Sequence, residues 1–457
     1  MVNDATVVIL AAGQGTRMKS KLAKVLHRAG GKALVEHAIS TARHIAPPER
    51  IFVVVGHQAE AVGAVANAAG VRSFEQRQQL GTGHAVMCGE SELAGLGGLL
   101  VVVTGDCPMV RPATLQSLVD LYQKTGAKAA LVSADVDDPT GLGRIVRGDN
   151  GDVLAIVEHK AATPEQLTIP EINAGFYCFE AEAFWKHVHE IRTDNPAGEY
   201  YLTDMVAILL KAGHRVVALK AADPSELLGI NDKVQLANAD RILRERKVHE
   251  LMLSGVTIIR PETVNIDADV VVGQDTVIEP YVQIKGATVI GENCHIASSS
   301  IIDHSHIGDN AQIHPFSVIS NCTLDAHVHV GPFARLRMNS HLHEGTHVGN
   351  FVELKNTEFG AGSKSMHLAY LGDSTIGSKV NVGAGTITCN YDGKKKHRTN
   401  IGDRAFVGSN STLVAPLNIG NEAYIAAGST ITQNVPENSL ALGRSRQVVK
   451  EGWTPKR

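Results

Sequence analysis

The sequence predicts an α/β domain with a mostly parallel sheet, followed by a parallel β-helix. Residues 1–229 alternate short β-branched apolar runs with helical patterns, which indicates strands joined by helices. Beyond about residue 251, aliphatic residues recur every six positions, often followed by glycine, and this repeat predicts a parallel β-helix. A charged stretch between the two, with apolar residues at helical spacing, predicts a connecting helix. We therefore expect a domain over 1–229, a linker helix over 230–250 and a β-helix over 251–457.

The first domain should begin with a strand and continue as alternating strands and helices. We expect strands over 7–10, 51–55 and 99–103, and helices over 33–45 and 114–124. The connecting helix should run from Asn231 to about Met252. Ligands of such folds bind at the carboxyl edge of the sheet, so polar residues that follow a strand are the first candidates for a site.

The repeat of the second domain comes in four runs. Three hexads should close one coil, with the aliphatic residue of each hexad facing inward. Two segments interrupt the series, 363–373 and 381–400, and we expect them to be loops that leave the coil to reach a ligand. The series consists of Val272, Ile278, Ile284, Ile290, Ile296, Ile302, Ile307, Ile313, Ile319, Leu324, Val330, Leu336, Leu342, Val348, Leu354, Ile401, Val407, Leu413, Ile419, Ile425 and Ile431.

Composition and charge exclude several classes of partner. The 457 residues are 44% apolar and 20% charged, with a net charge of -4 and no long run of one sign. This balance gives no electrostatic footprint for nucleic acid, and no apolar run reaches the roughly 18 residues that membrane insertion needs. The six cysteines form no Cys-x-x-Cys pair, and the start of the chain has no signal pattern. We expect a cytoplasmic protein whose partners are small molecules.

A glycine-rich stretch, Leu-Ala-Ala-Gly-Gln-Gly-Thr-Arg-Met over 10–18, follows the first predicted strand. A dinucleotide fingerprint would need a third glycine at the position of Met18. A P-loop would need a wider glycine spacing followed by Lys-Ser/Thr. The stretch is therefore either a phosphate cradle of another kind or a tight turn.

Further motifs give the whole chain a resemblance to a known family. The β-helix resembles the left-handed hexapeptide-repeat acyltransferases, which are commonly trimers. From end to end the chain resembles the GlmU family, bacterial bifunctional N-acetylglucosamine-1-phosphate uridyltransferases and glucosamine-1-phosphate N-acetyltransferases. Besides 10–18, the motifs are QLGTGHA at 79–85, GD at 105–106, GLGR at 141–144, VEHK at 157–160, EINAG at 171–175, GEYY at 198–201, GNFVELK at 349–355, GAGTITCNYDG at 383–393 and KEGW at 450–453.

The resemblance implies a uridylyl-transfer site in the first domain, which would be a Rossmann-like nucleotidyltransferase. Arg17 and Lys24 would neutralise the charge of UTP and of the departing pyrophosphate, and Asp106 with Asn231 would bind Mg²⁺. The contacts to UTP and UDP-N-acetylglucosamine would come from Leu10, Ala11, Ala12, Gly13, Lys24, Gln76, Gly81, Thr82, Gly143, Glu158, Asn173 and Asn231. Two residues depart from the family pattern, Ala23 in place of a proline and Gln14 in place of a basic residue.

The resemblance implies an acetyl-transfer site in the β-helix, with His367 as general base. The amino-sugar phosphate would be bound by Arg337, Lys355, Tyr370 and Asn381. Acetyl-CoA would be bound by Ala384, Asn390, Tyr391, Ser409, Ala427 and Arg444. Met338 and Met366 depart from the family pattern on either side of this pocket, in place of a proline and of a smaller residue.

The implied substrates are glucosamine 1-phosphate, N-acetylglucosamine 1-phosphate, UTP and acetyl-CoA, and the implied assembly is a homotrimer that shares its acetyl-transfer sites. The product, UDP-N-acetylglucosamine, would feed peptidoglycan and lipopolysaccharide synthesis. Two alternatives remain at the level of sequence. One is a single-activity nucleotidyltransferase resembling ADP-glucose pyrophosphorylase, with a passive β-helix. The other is a non-catalytic scaffold built from the same two folds.

Overall fold

The structure is a computed structural model that describes residues 4–453. It divides into two units between Leu243 and Arg244. In the described part of the chain, the first unit contains strands β1 (Ala5–Leu10), β2 (Arg28–Ala29), β3 (Lys32–Ala33), β4 (Ile51–Val55), β5 (Arg72–Glu75), β6 (Leu99–Thr104), β7 (Ala129–Asp135), β8 (Arg144–Arg147), β9 (Val153–Val157), β10 (Glu171–Glu180) and β11 (Val216–Lys220).

The α-helices surround these strands. They are α1 (Leu34–Ala42), α2 (Ala59–Ala68), α3 (Thr82–Met87), α4 (Glu90–Leu93), α5 (Pro112–Thr125), α6 (Pro164–Leu167), α7 (Ala181–His187), α8 (Asp204–Lys211) and α9 (Lys233–Leu253). The strands and helices expected from the sequence are present, with ends that differ by up to three residues.

The main sheet of the first unit is mixed but mostly parallel. Its order is β11-β7-β10-β6-β1-β4-β5, with β8 paired to β10 and to β9. Strand β10 runs antiparallel to β6 and β7, whereas β1 is parallel to both neighbours. Val7 and Ile9 of β1 belong to one apolar cluster and Val8 belongs to a second. The central strand is thus buried on both sides, as a continuous apolar run requires.

A crevice forms at the carboxyl edge of this sheet because the chain changes direction there. From β1 the chain passes to β4 and β5 on one side, and it then returns to β6 on the other side of β1. The loops after β1 and β6 therefore diverge, and such a switch point leaves an opening for a ligand. Leu10 and Asp106 end up at this opening.

Helix α9 carries apolar residues into both units. Ala239, in its first half, belongs to an apolar cluster with Met109 and Ile230. Val248 and Leu251, in its second half, belong to the core of the β-helix. The helix expected from residue 231 to about 252 is thus observed as Lys233–Leu253. The domain boundaries expected at 229 and 250 stay a prediction.

The second unit is a β-helix whose short parallel strands form three sheets, which we call the first, second and third faces. The first face contains β12 (Thr257–Ile258), β15 (Val277–Ile278), β18 (His295–Ile296), β21 (Gln312–Ile313), β24 (His329–Val330), β27 (His347–Asn350), β30 (Lys364–His367), β33 (Asn381–Val382), β36 (Phe406–Val407), β39 (Tyr424–Ile425) and β41 (Leu440–Ala441).

The other two faces complete each coil. The second face contains β13 (Asn265–Ile266), β16 (Gln283–Lys285), β19 (Ile301–Asp303), β22 (Val318–Ser320), β25 (Arg335–Arg337), β28 (Glu353–Lys355), β31 (Tyr370–Gly372), β34 (Ile387–Cys389), β37 (Thr412–Val414) and β40 (Thr430–Ile431). The third face contains β14 (Val271–Val272), β17 (Val289–Ile290), β20 (His306–Ile307), β23 (Thr323–Leu324), β26 (His341–Leu342), β29 (Glu358–Phe359), β32 (Ser374–Ile376), β35 (Thr399–Ile401) and β38 (Leu417–Ile419).

Every aliphatic residue of the predicted six-residue series is buried in the β-helix core. Ile302, Ile319 and Leu336, for example, are direct partners on successive strands of the second face. A strand of two or three residues cannot be stable alone, so these stacked side chains hold the coils together. The predicted β-helix is therefore confirmed.

The prediction of a loop over 363–373 is wrong, because this segment continues the coil as β30 and β31. Ser365 is fully buried at the inward position, where the hexad pattern requires an aliphatic residue. The apolar pattern missed the strand because a serine stands there. The second interruption is also shorter than expected, since β33 and β34 belong to the coil and only residues 390–398 leave it.

Within residues 4–453, none of the helices combines the length and the apolar character needed to cross a membrane.

We expect that Val272→Ala will destabilise the β-helix and that Val271→Ala will not. The two valines are adjacent on β14, but Val272 is 6% exposed and Val271 is 55% exposed. Loss of two buried methyl groups should cost about 2 kcal/mol, whereas the exposed change should stay within about 0.5 kcal/mol. Urea unfolding followed by far-UV circular dichroism measures both, and equal midpoints for the two variants would contradict the inward assignment of Val272.

Candidate active sites

The α/β unit has a cleft in two adjoining parts at the carboxyl edge of its sheet. One part is a cavity of about 360 Å³ that includes Leu10, Ala11, Ala12 and Gly13 in its lining. The other is a cavity of about 280 Å³ that includes Glu158 and Asn173. Leu10, Thr82, Thr104 and Glu199 line both parts. The cleft is therefore continuous, with space for two ligand groups side by side.

The glycine-rich loop owes its shape to Gly15 more than to Gly13. Gly15 has φ +62°, and a Cβ there would lie 2.5 Å from Cβ of Lys24. Gly13 has an ordinary conformation, and a Cβ added to it would meet no other atom within 4 Å. Gly15 thus lets the loop fold back onto Lys24, and Gly13 leaves its own side of the loop open to the cleft.

Four predicted residues meet at the mouth of the cleft. Nζ of Lys24 contacts the carboxylate of Asp106 and lies 3.2 Å from Oδ1 of Asn231. The guanidinium of Arg17 donates to the same Oδ1 at 2.8 Å. Asn231 is placed there because the backbone N–H of Ile230 donates to the carbonyl of Asp106. The carboxylate of Asp106, the amide oxygen of Asn231 and two cationic side chains therefore converge on one point from four separate segments of the chain.

Ala23, which precedes Lys24, is held in place by a bond that proline could not make. Its backbone N–H donates to Oε1 of Gln58 at 3.0 Å. Proline has no N–H, so this departure from the family pattern exchanges a rigid ring for a hydrogen bond. Gln14, the other departure, lines the cleft.

Gln76, Gly81 and Thr82 form one wall of the larger cavity. Nε2 of Gln76 donates to the carbonyl of Gly81 at 3.0 Å. Gly81 has φ +111°, and a Cβ there would lie 2.6 Å from the carbonyl oxygen of Tyr200. Thr82 begins α3 and its Oγ1 accepts the backbone N–H of Leu202. The structure therefore brings these three predicted residues together.

The smaller cavity has a carboxylate wall. Glu158 and Asn173 line it, and the backbone N–H of Asn173 donates to the carbonyl of Gly143 at 2.9 Å. A Cβ added to Gly143 would lie 3.4 Å from Oε1 of Glu158. Burial raises the pKa of Glu158. Burial also raises the pKa of Asp204, and the nearby Glu158 raises it further. This wall offers acceptors to hydroxyl and amide donors.

In the β-helix, Lys355 is the centre of a buried polar group. Its ammonium donates to both carboxylate oxygens of Asp373, at 2.9 and 2.8 Å. Lys355 is 4% exposed and Asp373 is 7% exposed. Burial lowers the pKa of Lys355, but the Asp373 carboxylate outweighs it and the net shift is upward. Burial raises the pKa of Asp373, but hydrogen bonds from Asn356, Lys355 and Asn390 outweigh it.

The other predicted amino-sugar residues lie around this pair. Arg337 is the direct strand neighbour of Lys355 and its Nε donates to Glu353 at 2.7 Å. Nδ2 of Asn390 donates to Asp373 and lies 3.5 Å from the hydroxyl of Tyr370. Asn381 is exposed on β33 and, within residues 4–453, makes no side-chain hydrogen bond to this group. The structure thus brings Arg337, Lys355, Tyr370 and Asn390 together and leaves Asn381 apart.

Asn390 begins the short excursion from the coil, which is a tight hairpin. Tyr391 and Lys396 form a bridge, and the carboxylate of Asp392 accepts the backbone N–H groups of Lys394 and Lys395. These bonds, led by that of Lys395, lower the pKa of Asp392. The neighbouring Lys355 lowers the pKa of Lys396. Lys396 therefore lies near the Lys355 group, while Lys394, Lys395 and Lys396 all remain exposed.

His367 stands at the corner where the first face ends, in a column that continues along the β-helix. Ala384, Ser409 and Ala427 follow it on the next three coils, as the strand registers extend by two residues. A Cβ on Gly383 or on Gly408 would lie 2.5 Å from the backbone nitrogen of Ser409 or of Ala427, respectively. Arg444 lies at the end of the column, beside Gly428. His367 and the predicted acetyl-CoA residues thus share one corner.

Three polar residues that the sequence did not single out support these groups. Asn350 contacts Nδ1 of His367 at 2.7 Å, Glu353 pairs with Arg337, and Asp373 pairs with Lys355. Each is one coil before or after its partner. Counting 16–18 residues along the repeat could have found them, because residues one coil apart are neighbours in space. The two departures from the family lie close to these groups. A Cβ on Gly349 would lie 1.9 Å from the carbonyl oxygen of Met366, and Sδ of Met338 accepts from Arg337.

The two folds and the residue clusters that they carry together define a nucleotidyltransferase unit joined to a hexapeptide-repeat transferase unit. The family described as MobA-like NTP transferase domain matches residues 7–175. Bacterial transferase hexapeptide repeats match 269–304 and 304–337, and the hexapeptide repeat of succinyl-transferase matches 398–433.

Curated relatives match the chain along its whole length. Bifunctional protein GlmU of Solibacter usitatus is 57% identical over 100% of this chain and 98% of its own. Those of Koribacter versatilis and Shouchella clausii are each 47% identical, over 99% and 98% of this chain and 97% and 98% of their own. The chain belongs to the GlmU family of bifunctional uridyltransferase and acetyltransferase enzymes of UDP-N-acetylglucosamine synthesis. A single-activity enzyme and a non-catalytic scaffold are therefore not supported.

We expect that Glu158→Gln will lower the pKa of Asp204. The raised pKa means that the folded state holds a proton that the unfolded state has released, so stability falls as pH rises through this pKa, above the ordinary value of about 3.9. Removing the Glu158 charge should make that fall smaller. Carboxyl-carbon NMR titration measures the pKa, and Glu165→Gln, which changes an exposed carboxylate on α6, is the matched control. An unchanged pKa of Asp204 would contradict the coupling.

Proposed function

We propose that the β-helix transfers acetyl from acetyl-CoA to the amine of glucosamine 1-phosphate and that the α/β unit then transfers uridylyl from UTP to N-acetylglucosamine 1-phosphate. The observation that carries this proposal is that each unit gathers one of the two predicted residue sets without the other. Arg17, Lys24, Asp106 and Asn231 converge at the cleft of the α/β unit, while the β-helix carries His367, which contacts Asn350, and Lys355, which contacts Asp373.

Uridylyl transfer is an in-line attack of the sugar-phosphate oxygen on the α-phosphorus of UTP. The attacking phosphate is already ionised, so positioning and charge neutralisation carry most of the catalysis. In the proposed site, Arg17 and Lys24 neutralise the phosphates while the loop over 10–13 and Gln76, Gly81 and Thr82 hold the nucleotide. Hydrogen bonds with the N-acetylglucosamine group come from Gly143, Glu158 and Asn173.

The proposed Mg²⁺ site consists of Asp106 and Asn231. A carboxylate and an amide oxygen are the donors that Mg²⁺ prefers, and the ammonium of Lys24 already lies between these two oxygens. This arrangement supports a cation at that point. Bound there, Mg²⁺ would neutralise phosphate oxygens of UTP. Asp106 and Asn231 would hold the ion, and Lys24 would add a second positive charge for the phosphates.

Acetyl transfer needs a base that takes a proton from the amine, and we assign His367 to this role. Nδ1 of the ring faces the amide oxygen of Asn350 at 2.7 Å. An amide oxygen only accepts, so Nδ1 carries the hydrogen and Nε2 is left with its lone pair free. Asn350 therefore selects the tautomer in which Nε2 accepts a proton.

The sugar phosphate and the coenzyme have separate binding surfaces in this proposal. Arg337 and Lys355 bind the phosphate, and Tyr370 and Asn390 orient the sugar and its amine. Asn381, which was predicted with them, lies apart from this group. Acetyl-CoA lies along the corner formed by Ala384, Ser409 and Ala427, with Tyr391 and Arg444 at its sides. The small and at least partly exposed side chains of that corner support this path, because a ligand can approach the backbone there.

We further propose that the chain forms a homotrimer through a stripe of exposed apolar residues at one corner of the β-helix. The stripe consists of Tyr281, Phe316, Phe333, Phe351 and Leu368, which are 48–61% exposed. Phe333 stacks on Phe316 at 5.0 Å and on Phe351 at 5.3 Å. An exposed apolar stripe of this kind marks an interface. Leu368 follows His367 directly, so a second copy on this stripe would also approach the acetyl-transfer site.

A cytoplasmic location is also proposed. The six cysteines are free, and four of them are buried in apolar cores, which suits a reducing compartment. Burial raises the pKa of Cys178 and of Cys322. These thiols are therefore inert core residues.

Single substitutions should separate the two activities. His367→Ala should lower acetyl transfer by about 10² to 10⁴ and leave uridylyl transfer unchanged, because a general base is lost in one unit only. Asp106→Asn should do the reverse, with pyrophosphate release lost and acetyl transfer retained. Acetyl-CoA consumption and pyrophosphate release are measured on each purified variant.

Matched controls for this experiment are His304→Ala, an exposed histidine of the β-helix, and Asp149→Asn, an exposed carboxylate of the α/β unit. Both should keep both activities. A His367→Ala variant with normal acetyl transfer would refute the proposed role of this residue. An Asp106→Asn variant that is folded but lacks both activities would refute the separation of the sites.

Phe333→Asp should dissociate the trimer, because it places a charge in the middle of the apolar stripe. Light scattering should show monomers, and acetyl transfer should fall while uridylyl transfer persists. Val271→Asp, at an exposed position of the third face, should leave the trimer intact. Dissociation by the control but not by Phe333→Asp would move the interface to another surface.

A further inference from the structure

We propose that the third face of the β-helix carries a binding site for a divalent transition-metal ion of the zinc class, formed by Asp325, His341, His343 and Glu358. These residues lie on or next to the successive strands β23, β26 and β29. Leu342 faces inward, so the histidines on either side of it both face outward. The site is separate from both proposed active sites and rests on neither of them.

The four side chains are already in contact. Nε2 of His341 lies 2.9 Å from Asp325 and its Nδ1 lies 3.2 Å from Glu358. Nδ1 of His343 lies 3.2 Å from Asp325, and its Nε2 contacts Glu358. The two ring centroids are 4.1 Å apart. Each imidazole therefore stands between the same two carboxylates, and ligand atoms of Asp325, His341 and His343 all lie within 4.8 Å of one another.

This arrangement calls for a positive charge. A carboxylate only accepts hydrogen bonds, and a neutral imidazole donates only one. The four nitrogen–oxygen contacts therefore need four donors, and two neutral rings supply two. In the remaining two contacts a nitrogen lone pair would face an oxygen lone pair. Protons or a shared cation would remove that repulsion.

Within residues 4–453, Asp325 and Glu358 make no ion pair with lysine or arginine, and the histidines are their only charged partners. Among the other described residues of the β-helix, a histidine that pairs with a carboxylate pairs with a single one, as in His295–Glu279 and His304–Asp303. Among the described residues, two histidines that each contact the same two carboxylates thus occur in this cluster alone.

The donor set identifies the class of ion. Two imidazole nitrogens with carboxylate oxygens suit Zn²⁺ and its neighbours in the first transition row. Mg²⁺ and Ca²⁺ prefer oxygen ligands throughout, as at Asp106 and Asn231. The four side chains are about one-third exposed, so an ion can reach them from solvent. Bound there, it would link three consecutive coils and stabilise the folded β-helix.

Zinc binding by the full chain tests the proposal. The protein is expressed without a histidine tag, stripped of metal and dialysed against Zn²⁺ at micromolar free concentration. The parent should bind one more Zn²⁺ per chain than the double variant H341Q/H343Q, and its thermal midpoint should rise by several degrees with Zn²⁺ where that of the double variant does not. Comparison with this variant removes the contribution of Asp106 and of the remaining histidines.

Two further variants make the test decisive. Asp325→Asn keeps the shape of the side chain and removes its charge, so it should weaken zinc binding at least tenfold even if the double variant folds poorly. His306→Gln removes an exposed histidine from the same face, on β20, and should bind as the parent does. Electron paramagnetic resonance with Cu²⁺ should show two coupled nitrogens in the parent and one in either single histidine variant.

Equal zinc content in the parent and in both the double variant and Asp325→Asn would overturn the proposal. An equal loss in His306→Gln would also overturn it, because binding would then be spread over surface histidines. Loss of one Zn²⁺ in the cluster variants alone would support it.

Discussion

The inward stacking of one aliphatic side chain per short strand is the constraint on which the β-helix depends. Strands of two or three residues have no stability alone, and each is fixed only by burial against the strands before and after it. Because Leu336 lies on Leu354, and Leu354 on Leu371, the outward neighbours of these residues are also fixed in register. Arg337 therefore lies beside Lys355. The buried core thus fixes the positions of polar surface residues that are not part of it.

The same register explains why polar partners are one coil apart in sequence. Lys355 with Asp373 and His367 with Asn350 are pairs of this kind. A buried ion pair costs desolvation, and hydrogen bonds from Asn356 and Asn390 offset that cost for Asp373.

In the α/β unit the organising feature is the switch in strand order around β1. It brings together segments that are far apart in sequence, since Asn231 bonds to Arg17 and lies near Lys24 and Asp106. Parallel strands present all their carboxyl ends at one edge, so one edge collects the loop after β1, the turn after β6 and the start of α9. The cleft there has cations at its mouth and carboxylates at its inner wall.

The sequence by itself determined the two folds, because burial imposes periodicity directly: apolar runs become the central strands, and a six-residue repeat becomes a coil. It also identified most residues of both clusters through their motifs. It failed at Ser365, where a buried serine hides a strand, and it gave no sign of Asp373 or Asn350, whose roles depend on a neighbour one coil away. Only the tertiary structure decided that Lys24 contacts Asp106, that Asn381 lies apart from Lys355, and that His341 and His343 share two carboxylates. Such pairings depend on distances between coils and loops, which local sequence patterns do not encode.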